Sequence, residues 1–524
     1  MADPDAIIIG SGHNALCAAL YLVEAGWRVL VLEQSSEIGG GLRTATLTGA
    51  GYRHDLYATN VGAFLASPVQ RDFGEALAQT GLAFLRHDRP FASAFGDGRA
   101  LPVFSDPART ASEISALSSR DSERWRQTAD LFRRIGPHIL SLPRSAMPST
   151  EAARHLLPLL ARPGDAVRAA RLALMTCGGW TREMFETPQV RALLTPWAFH
   201  TDLGPDDRGG ASFAFIAAFS AAQHGLVVPQ GGAGALSRAL ADVLTARGAH
   251  IMIGTKVTRI DIRDGVAVAV RTASGERFEA RRAVVAGIAP GALTNEMLPS
   301  SALPPTAARL RNFVYGPATF VLHLALRHAI QWRAREDLSQ FFYVHLNGEP
   351  DLISATLRQA KQGLIPDRPM IVVSQPTVVD PTRAPPGHHV ARLHVRCVPR
   401  TILGDAAGTI TERDWASASA PFAQRLLSLL AEHVSNLDSV LHDCAWMSPA
   451  DIERDNPNMH AGDCSGGSHH LRQHYFLRPA LGWSRYRTPI RNLYLTGAAT
   501  WPGAGIHGHS GYLAAQEILA LSDK

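Results

Sequence analysis

The sequence predicts an α/β protein in which one parallel sheet is assembled from distant segments of the chain. A second domain with a mixed sheet and a helical cap is expected beside it. Two stretches lead to this prediction: a strand–turn–helix–strand unit over residues 5–43, and a strand that runs into a glycine-rich turn over residues 492–511. Alternating strands and helices are typical of parallel sheets, because parallel neighbours need a crossover connection that is usually helical.

The first unit opens with four apolar residues, 6–9, which predict a buried parallel strand. The turn Gly10-x-Gly12-x-x-Ala15 follows. Gly10 permits the tight turn, Gly12 lets the backbone approach a pyrophosphate, and the small Ala15 lets the next helix pack closely on its strand. That helix directs its N-terminal NH groups and its dipole at the phosphates. The pattern therefore predicts a dinucleotide site.

The kind of dinucleotide depends on Glu33, which ends the second strand roughly 20 residues after Gly12. Its carboxylate can accept the ribose hydroxyls and would repel a 2′-phosphate, so NADP is disfavoured while NAD and FAD stay open. The glycine run 39–41 and Arg43 offer backbone NH groups and one guanidinium to a pyrophosphate. Residues 52–62 predict a strand and a small-residue turn suited to close approach by a planar ring.

Composition and charge exclude several classes of protein. The 524 residues suffice for two or three domains, and 46% hydrophobic with 19% charged residues is typical of a soluble globular protein. The net charge of +5 comes from dispersed basic residues, without a basic block interleaved with aromatics, so no nucleic-acid partner is expected. The five cysteines show no CxxC or metal-ligand spacing. They indicate a reducing, cytoplasmic compartment and argue against metal binding and against CxxC-type disulfide reductases.

No window of about 18 uncharged apolar residues predicts a membrane span. The N-terminal apolar run is explained by the first strand rather than by a signal peptide. Residues 106–205 are Arg-rich and helical in pattern, and within them 152–175 combines leucines and alanines with four arginines. Such a basic amphipathic stretch can lie on the inner face of a membrane, as a peripheral contact. We favour the alternative, a solvated face of a helix pair broken at Pro163-Gly164.

The rest of the chain predicts a small antiparallel group of strands and a second domain. Short strands are expected between residues 251 and 286, with Val257 near the first strand of the nucleotide unit. Residues 289–489 carry further strands, among them 390–398, whose period-2 alternation predicts a half-exposed strand. The tail then returns with a strand, a small-residue turn at 496–500 and a glycine-rich loop that opens an Ala-rich helix.

Three stretches that are far apart in the chain, 6–43, 227–286 and 492–515, thus converge on one cofactor. This arrangement resembles the FAD-dependent amine-oxidase and phytoene-desaturase superfamily. It is most similar to the carotenoid-desaturase-like branch, which includes pyridine-nucleotide-disulfide-oxidoreductase-domain-like proteins. The resemblance is carried by residues 8–15, 33–43, 195–207, 229–240, 375–386, 448–457, 462–479 and 487–515. It implies a Rossmann-type domain that binds FAD.

The resemblance also implies the domain organisation and the cofactor contacts. The FAD-binding domain is expected over 1–105, 226–288 and 487–524, the helical cap over 106–225, and the mixed-sheet substrate domain over 289–486. The ADP half of FAD is expected at Gly10, Gly12, His13, Asn14, Ala15, Glu33 and Gln34, with the adenine at the Val257 backbone. The pyrophosphate, ribityl and isoalloxazine are expected at Gly40, Gly41, Leu42, Arg43, Ala58, Thr59, Asn60, Gly497, Ala498, Ile506, His507 and Gly508.

The tail departs from the family pattern Thr-His-Pro-Gly-Gly-Gly, because residues 500–505 read Thr-Trp-Pro-Gly-Ala-Gly. Trp501 can stack on the flavin or the substrate, and Tyr57 can form part of the same aromatic surface. His507 and His509 are candidates to move a proton during the oxidation, since histidine titrates near neutrality. The alternative is that both histidines only hydrogen-bond the flavin edge or the backbone.

The function that the resemblance implies is FAD-dependent dehydrogenation of an apolar, extended substrate such as an isoprenoid, polyene or acyl chain. Hydride transfer from a substrate C–H to flavin N5, with loss of a proton to a base or water, would give a C=C or C=N bond. O₂ or a quinone is the expected electron acceptor. Hydroxylation, ketone formation and double-bond isomerisation are alternatives among relatives.

Two further alternatives come from other classes. An amine oxidase usually has a lysine near the flavin, and no suitably placed lysine is evident in the sequence. A non-catalytic lipid or prenyl carrier would be expected to lose the glycines that face the flavin. Here those glycines are intact, which disfavours the carrier.

Overall fold

A parallel sheet and a larger mixed sheet organise the protein. The computed structural model describes residues 3–299, 301, 303, 305 and 307–522. The outermost residues of the predicted domain ranges, 1–2 and 523–524, lie outside the described residues. The α-helices run over His13–Glu24, Gly62–Leu65, Pro68–Gln79, Pro107–Ser115, Ser119–Ser141, Thr150–Leu160, Pro163–Leu174, Cys177–Met184, Pro188–Phe199, Gly210–His224, Gly234–Ala246, Pro290–Ala292, Ala307–Arg311, Pro350–Lys361, Trp415–His433, Leu437–Val440, Pro449–Asp455 and His509–Ser522.

The parallel sheet consists of short apolar strands. In spatial order they are Leu493–Leu495, Ala283–Ala286, Ala6–Ile9, Val29–Leu32 and His250–Met252. Its central strands are fully buried, as expected for strands covered on both faces. One edge strand comes from the far end of the chain, so the predicted assembly of this sheet from distant segments is confirmed.

The helix His13–Glu24 begins two residues earlier than predicted, because Gly12 has an extended backbone and acts as its N-cap. The helix lies close to the strand Ala283–Ala286. A Cβ placed on Gly287, just after that strand, would lie 3.0 Å from the Cβ of Ala15. Small residues at both positions therefore permit the close packing that the sequence predicts. The C-terminal helix packs alongside, with the rings of Tyr21 and Tyr512 5.0 Å apart.

A three-stranded antiparallel sheet is inserted before the fourth strand of the parallel sheet. Its strands are Val257–Arg263, Val266–Thr272 and Arg277–Glu279. The antiparallel group is smaller than predicted, because the flanking strands pair in parallel register with the nucleotide unit instead. Val257 shares an apolar cluster with Ile7 and Ile9, so its predicted position near the first strand is confirmed.

The mixed sheet has seven strands. In spatial order they are Leu441–Met447, Ala318–Leu326, His389–Val398, Ile371–Ser374, Tyr343–Leu346, Phe91–Ala94 and Ala100–Val103. The pairing of Tyr343–Leu346 with Phe91–Ala94 is parallel, and the other pairings are antiparallel. The predicted range 1–105 assigned the last two strands to the FAD-binding domain. They join the other sheet, and their short apolar sequences carry no mark of which sheet they enter.

The strand His389–Val398 lies inside the mixed sheet and is not half-exposed. Its apolar residues pack under the helix Trp415–His433, while Arg392, His394 and Arg396 face an internal cavity. The predicted alternation is therefore confirmed, but the prediction of solvent exposure is wrong. The polar face of the strand meets a cavity inside the protein rather than bulk water.

A helical region follows the first two strands of the mixed sheet and packs around an aromatic core that includes Trp125, Phe132 and Phe215. The predicted helix pair is present as Thr150–Leu160 and Pro163–Leu174. Pro163 occupies the first turn of the second helix, where its missing NH costs no hydrogen bond. Within the described part of the chain, none of the helices is sufficiently long and apolar to cross a bilayer.

Candidate active site

A cavity of about 810 Å³ lies between the two sheets. The turn after the strand Ala6–Ile9 and the loop before the helix His509–Ser522 line it from the parallel sheet. The polar face of His389–Val398 and neighbouring strands line it from the mixed sheet. The two sheets therefore contribute opposite walls of one cavity.

The first turn has the geometry of a pyrophosphate cradle. Gly10 has a φ of +93°, in the left-handed region that favours glycine. A Cβ on Gly12 would meet no described atom within 4 Å, so the space in front of it is open. Among the described residues, no side chain caps the first NH groups of the helix His13–Glu24. At the same wall, Nε2 of His13 and Oδ1 of Asn14 are buried without a partner. These residues fit a dinucleotide.

Glu33 is held in place at the same end of the cavity. One carboxylate oxygen accepts hydrogen bonds from the NH (2.7 Å) and the hydroxyl (2.6 Å) of Ser11, and the other accepts from the NH of Ser35 at 2.8 Å. Each oxygen keeps acceptor capacity for a ribose hydroxyl. Gln34 and Val257, both predicted to contact the cofactor, line this end as well.

Arg43 belongs to a charged group on the cavity wall. Its guanidinium lies 2.7 Å from a carboxylate oxygen of Asp455 and 3.3 Å from one of Glu37. Tyr57 donates its hydroxyl hydrogen to Asp455. Burial, together with this hydrogen bond, raises the pKa of the Tyr57 hydroxyl. Tyr57 therefore stays protonated and positions Asp455, rather than accepting a proton from a substrate.

The glycines beside Arg43 bring two backbone segments together. Gly40 has a φ of +56°, and a Cβ there would lie 3.1 Å from Cα of Gly12. Gly41 also lines the cavity. A side chain at residue 40 would push the two glycine turns apart, so the double turn closes over one small volume in which several NH groups can meet a phosphate.

Residues 58–60 connect the nucleotide end to the mixed sheet, and all three line the cavity. The Thr59 hydroxyl lies 2.6 Å from the hydroxyl of Tyr343, a residue of the mixed sheet. The side-chain oxygen of Asn60 accepts a hydrogen bond from the NH of Val227 at 3.2 Å. These bonds fix the small-residue turn over which a planar ring can lie.

The tail supplies another open wall, formed by Gly497, Ala498 and Ile506. Gly497 has a φ of +113°, and a Cβ there would meet no described atom within 4 Å. Its NH donates to the Ser510 hydroxyl at 2.9 Å, which ties the turn to the start of the C-terminal helix.

Three predicted cofactor contacts need correction, because Leu42, His507 and Gly508 are not among the described residues that line the cavity. Leu42 is fully buried, and its carbonyl accepts a hydrogen bond from the Ser237 hydroxyl at 2.9 Å. A Cβ on Gly508 would lie 3.0 Å from the sulfur of Cys17. These residues support the loops and helix that carry the cavity wall.

The predicted catalytic residues of the tail also lie off the wall, since Trp501, His507 and His509 are absent from the described lining. The indole NH of Trp501 donates to the carbonyl of Ser145 at 3.0 Å. Burial lowers the pKa of His507 to about 4 and that of His509 to about 2. Both rings are therefore neutral at pH 7. The loop turns the three side chains into apolar packing beside helices, and the prediction that they are catalytic is corrected on this ground.

The substrate side of the cavity is made of residues that the sequence did not single out. They are Trp197, His200, Thr201, Tyr343, Val372, Ser374, Arg392, His394 and Arg396. Burial lowers the pKa values of His200 and His394 well below the usual range. One signal was available in the sequence, because Arg392, His394 and Arg396 alternate with apolar residues on one face of a strand.

Comparison with known families decides the identity of this site. The model of the family described as flavin containing amine oxidoreductase matches residues 16–519. The chain belongs to this family. It is an FAD-dependent oxidoreductase, and the turn at Gly10–Gly12 with the open walls at Gly40, Gly41 and Gly497 provides the residues that would hold FAD.

Relatives extend over nearly the whole chain at low identity. One of the chains of limonene dehydrogenase from Castellaniella defragrans is 28% identical, with 98% of this chain and 94% of the relative covered. Pyridine nucleotide-disulfide oxidoreductase domain-containing protein 2 of Mus musculus is 27% identical, covering 98% and 93%. Phytoene dehydrogenase of Streptomyces griseus is 26% identical, covering 98% and 94%. The resemblance to carotenoid-desaturase-like proteins is thereby confirmed.

Solved structures support the fold. An oxidoreductase from Methanosarcina mazei matches with a TM-score of 0.60 at 16% identity, over 99% of this chain and 100% of the other. Putrescine oxidase bound to putrescine matches with a TM-score of 0.61 at 15% identity, over 99% of each chain. At these identities the match establishes the architecture and leaves the substrate open.

Proposed function

We propose that the protein dehydrogenates an apolar, extended organic substrate such as an isoprenoid, polyene or acyl chain. The observation that carries this proposal is the continuity of the cavity. It joins the pyrophosphate cradle at Gly12 to a substrate wall that includes Trp197, Tyr343 and Val372. Two relatives are named for dehydrogenation, of limonene and of phytoene, and the same class of reaction is the simplest assignment for this chain.

The chain's own residues hold and enclose the reactants. FAD, when bound, would supply the hydride acceptor at its N5 atom. Thr59 and Tyr343 tie the nucleotide end to the mixed sheet through their 2.6 Å hydroxyl contact, which fixes the width of the cavity. Buried His200 and His394 are neutral at pH 7, so they can accept hydrogen bonds without adding charge. Water or one of these rings would take the released proton.

Anaerobic reduction of the flavin tests this function. The purified FAD-loaded protein would be mixed with a panel of polyenes, acyl chains and amines while the flavin absorbance is followed. We expect bleaching with a polyene or an acyl chain and none with amines. Reoxidation of the reduced protein by O₂ or by a quinone would then identify the electron acceptor, for which we propose one of these two. Failure of every unsaturated or acyl substrate to bleach the flavin would overturn the proposal.

Oxidation of amines is disfavoured by charge. An amine substrate is an ammonium ion in water, and Arg392 and Arg396 on the cavity wall would repel it. Trp501, proposed from sequence as part of an aromatic surface for such a substrate, packs elsewhere. Hydroxylation, ketone formation and double-bond isomerisation use the same substrates and would be recognised by their products in the panel above.

We further propose peripheral contact with an anionic membrane through residues 152–175, as a protein of the cytoplasmic side. The helix pair exposes large apolar side chains, with Leu157 at 55%, Leu160 at 67% and Leu174 at 62% exposed. Arg154 and Arg162 are exposed on the same pair. Apolar side chains flanked by cations favour an interface with acidic lipid headgroups.

Sedimentation with vesicles tests the membrane contact. We expect the protein to pellet with vesicles of acidic phospholipid at low salt, and Leu160→Ser to weaken this by about tenfold, because a leucine contributes roughly 1.5 kcal/mol or more on burial. Leu403→Ser is the matched control, since Leu403 is 68% exposed and lies on the substrate domain. Equal pelleting of wild type and Leu160→Ser would contradict the proposal.

A further inference from the structure

Two arginines on the substrate wall are buried without an acidic partner. Arg392 is 6% exposed and lines the cavity. One of its terminal nitrogens donates to the carbonyl of Leu56 at a long 3.4 Å, and its Nε has no partner. Arg396 lines the same wall, donates to the Ser465 hydroxyl at 3.3 Å, and also has an Nε without a partner. Within the described residues neither guanidinium has a carboxylate within ion-pair distance.

Other buried arginines of this protein do have strong partners. Arg383 lies 3.0 Å from a carboxylate oxygen of Asp55. Arg478 donates to the carbonyls of Gly466 and Ser468, both at 2.7 Å, and to that of Ala498. The protein therefore satisfies a buried guanidinium where the guanidinium is structural. The two arginines of the cavity wall are the contrast.

The acidic groups around this wall are already engaged elsewhere. Asp55 binds Arg383 and accepts a hydrogen bond from the hydroxyl of Thr44 at 2.7 Å. Asp463 accepts from three backbone NH groups at 2.6 to 2.7 Å. Asp202 accepts from the Ser468 hydroxyl at 2.6 Å and from a backbone NH at 2.8 Å. None of them turns toward the arginine pair.

The geometry of the strand places a third polar group between the arginines. Residues 392, 394 and 396 alternate on one face of the strand, so their side chains stand in a row. His394 lines the cavity, and its Nε2 is buried without a partner. A guanidinium stays charged at any physiological pH, so burial cannot be relieved by loss of a proton. A row of this kind is completed by an anion.

The phosphates of the cofactor do not explain the row. They are accounted for by the helix start at His13, the turn at Gly40 and the guanidinium of Arg43. The arginine row lies on the opposite sheet, beside Ser374 and Tyr343, where a substrate would lie.

We propose that Arg392, His394 and Arg396 bind an anionic group, a carboxylate or a phosphate, at one end of an otherwise apolar substrate. The inference rests on the proposed function, because it assigns a feature of the substrate of the same site. It narrows the substrate from a neutral hydrocarbon to an amphipathic acid whose apolar chain extends toward Trp197 and Val372. A guanidinium fits both oxyanions bidentately, which is why the two are tested together.

The test compares three ligands of one chain length on the FAD-loaded protein. Decanoate, decyl phosphate and decan-1-ol would be titrated while the flavin absorbance is followed, with calorimetry as a second readout. We expect at least one of the two anions to bind about tenfold tighter than the alcohol, as hydrogen bonds to charged groups allow. The preferred anion identifies carboxylate or phosphate as the natural group. Equal affinity for all three ligands would overturn the inference.

Variants assign the effect to residues. Arg392→Gln and Arg396→Gln should each weaken binding of the preferred anion about tenfold and leave binding of the alcohol unchanged. Arg358→Gln, on an exposed helix of the same domain, is the matched control for the loss of one charge. If a cavity variant does not fold, the salt dependence of wild-type binding replaces it. Affinity for the anion must then fall with added salt while affinity for the alcohol does not.

A separate measurement guards against an effect on the flavin itself. Sulfite adds to oxidised flavin and leaves negative charge on the ring. If Arg392→Gln weakens the sulfite adduct but not decanoate or decyl phosphate, the arginines serve the cofactor and the inference is overturned. If anion preference holds while no substrate bleaches the flavin, the proposed reaction fails and the anion site stands. If neutral chains bleach the flavin and anions show no preference, the reaction stands and the anion site fails.

Discussion

The two walls of the cavity bind by different means. The nucleotide end consists of backbone NH groups and open glycines, such as Gly12 and Gly497. The substrate wall consists of side chains that project from a strand, above all Arg392 and Arg396. A backbone wall is neutral and costs little when it is empty. A wall with two buried charges is costly when it is empty, because a desolvated charge without a partner destabilises the fold. The substrate wall is therefore the part of the site whose stability depends on being filled.

The largest expected effect compares a structural arginine with a cavity arginine. Arg478→Met removes the donors that satisfy the carbonyls of Gly466, Ser468 and Ala498. Its free energy of unfolding should fall by about 3 kcal/mol or more, since each unsatisfied buried group costs about 1 kcal/mol or more. Arg392→Met should keep the wild-type value within about 1 kcal/mol or exceed it, because it removes a charge without an acidic partner. Urea unfolding of the FAD-loaded proteins measures both values, and equal losses in the two variants would contradict the contrast.

The next effect concerns the nucleotide wall. Gly12→Val should weaken FAD binding by roughly 100-fold or more, about 3 kcal/mol, because the new side chain enters the space open to the pyrophosphate. The backbone of Gly12 is extended, with φ −62° and ψ 154°, so the apoprotein should still fold. Equilibrium dialysis with FAD and circular dichroism check the two statements.

Gly96→Val is the matched control for Gly12→Val, because a Cβ at Gly96 also meets no described atom within 4 Å but the residue is exposed. It should leave FAD binding unchanged. A folded Gly12→Val protein that keeps wild-type FAD affinity would remove the pyrophosphate from this turn.

A smaller effect depends on pH. His509 is buried, and its pKa is lowered to about 2. The unfolded chain therefore binds a proton that the folded chain excludes, and stability is fully present above about pH 6.5 and falls as the pH is lowered toward that value of the folded state. His509→Phe should reduce the slope of stability against pH between 6 and 4 by up to about 1.4 kcal/mol per pH unit. Urea unfolding at several pH values measures it.

The control for this titration is Trp501→Phe, which removes no titratable group. Its slope of stability against pH should equal that of the wild type. A slope for His509→Phe that matches the wild type as well would show that other buried histidines, such as His13 and His507, carry the acid sensitivity.

The smallest effect concerns Trp501 itself. Trp501→Phe loses the hydrogen bond from the indole NH to the carbonyl of Ser145, which should lower the free energy of unfolding by about 1 kcal/mol. The rate of flavin reduction should not change, because the ring is not among the described residues of the cavity wall. A tenfold slower reduction would restore the sequence-based assignment of Trp501 to the chemistry.

The same contrast explains how far sequence reasoning could go. Gly10, Gly12 and Glu33 act through local backbone geometry, so a short motif predicted both their positions and their ligand. Arg392 and Arg396 act through the face of a strand, and that face acquires meaning only when a distant sheet covers it. His507 and His509 were misassigned for a related reason, because a glycine-rich loop does not reveal the direction in which its side chains turn.

The boundary of the first domain was misplaced for the same physical reason. Phe91–Ala94 and Ala100–Val103 are short, apolar and followed by a helical pattern, which suits either sheet. Their partners lie about 250 residues further along, at Tyr343–Leu346. Pairing over such a distance depends on the tertiary structure and leaves no local mark in the sequence.

The interleaving of the parallel sheet bears on the order in which the protein can be made. Its edge strand Leu493–Leu495 and the helix His509–Ser522 leave the ribosome last, yet the helix packs against His13–Glu24 near the beginning. The nascent chain must therefore keep its first strands available until almost everything else has been synthesised. Contacts of such long sequence separation form slowly, so the FAD site is completed only near the end of synthesis, and the early strands have a long interval in which to meet other partners.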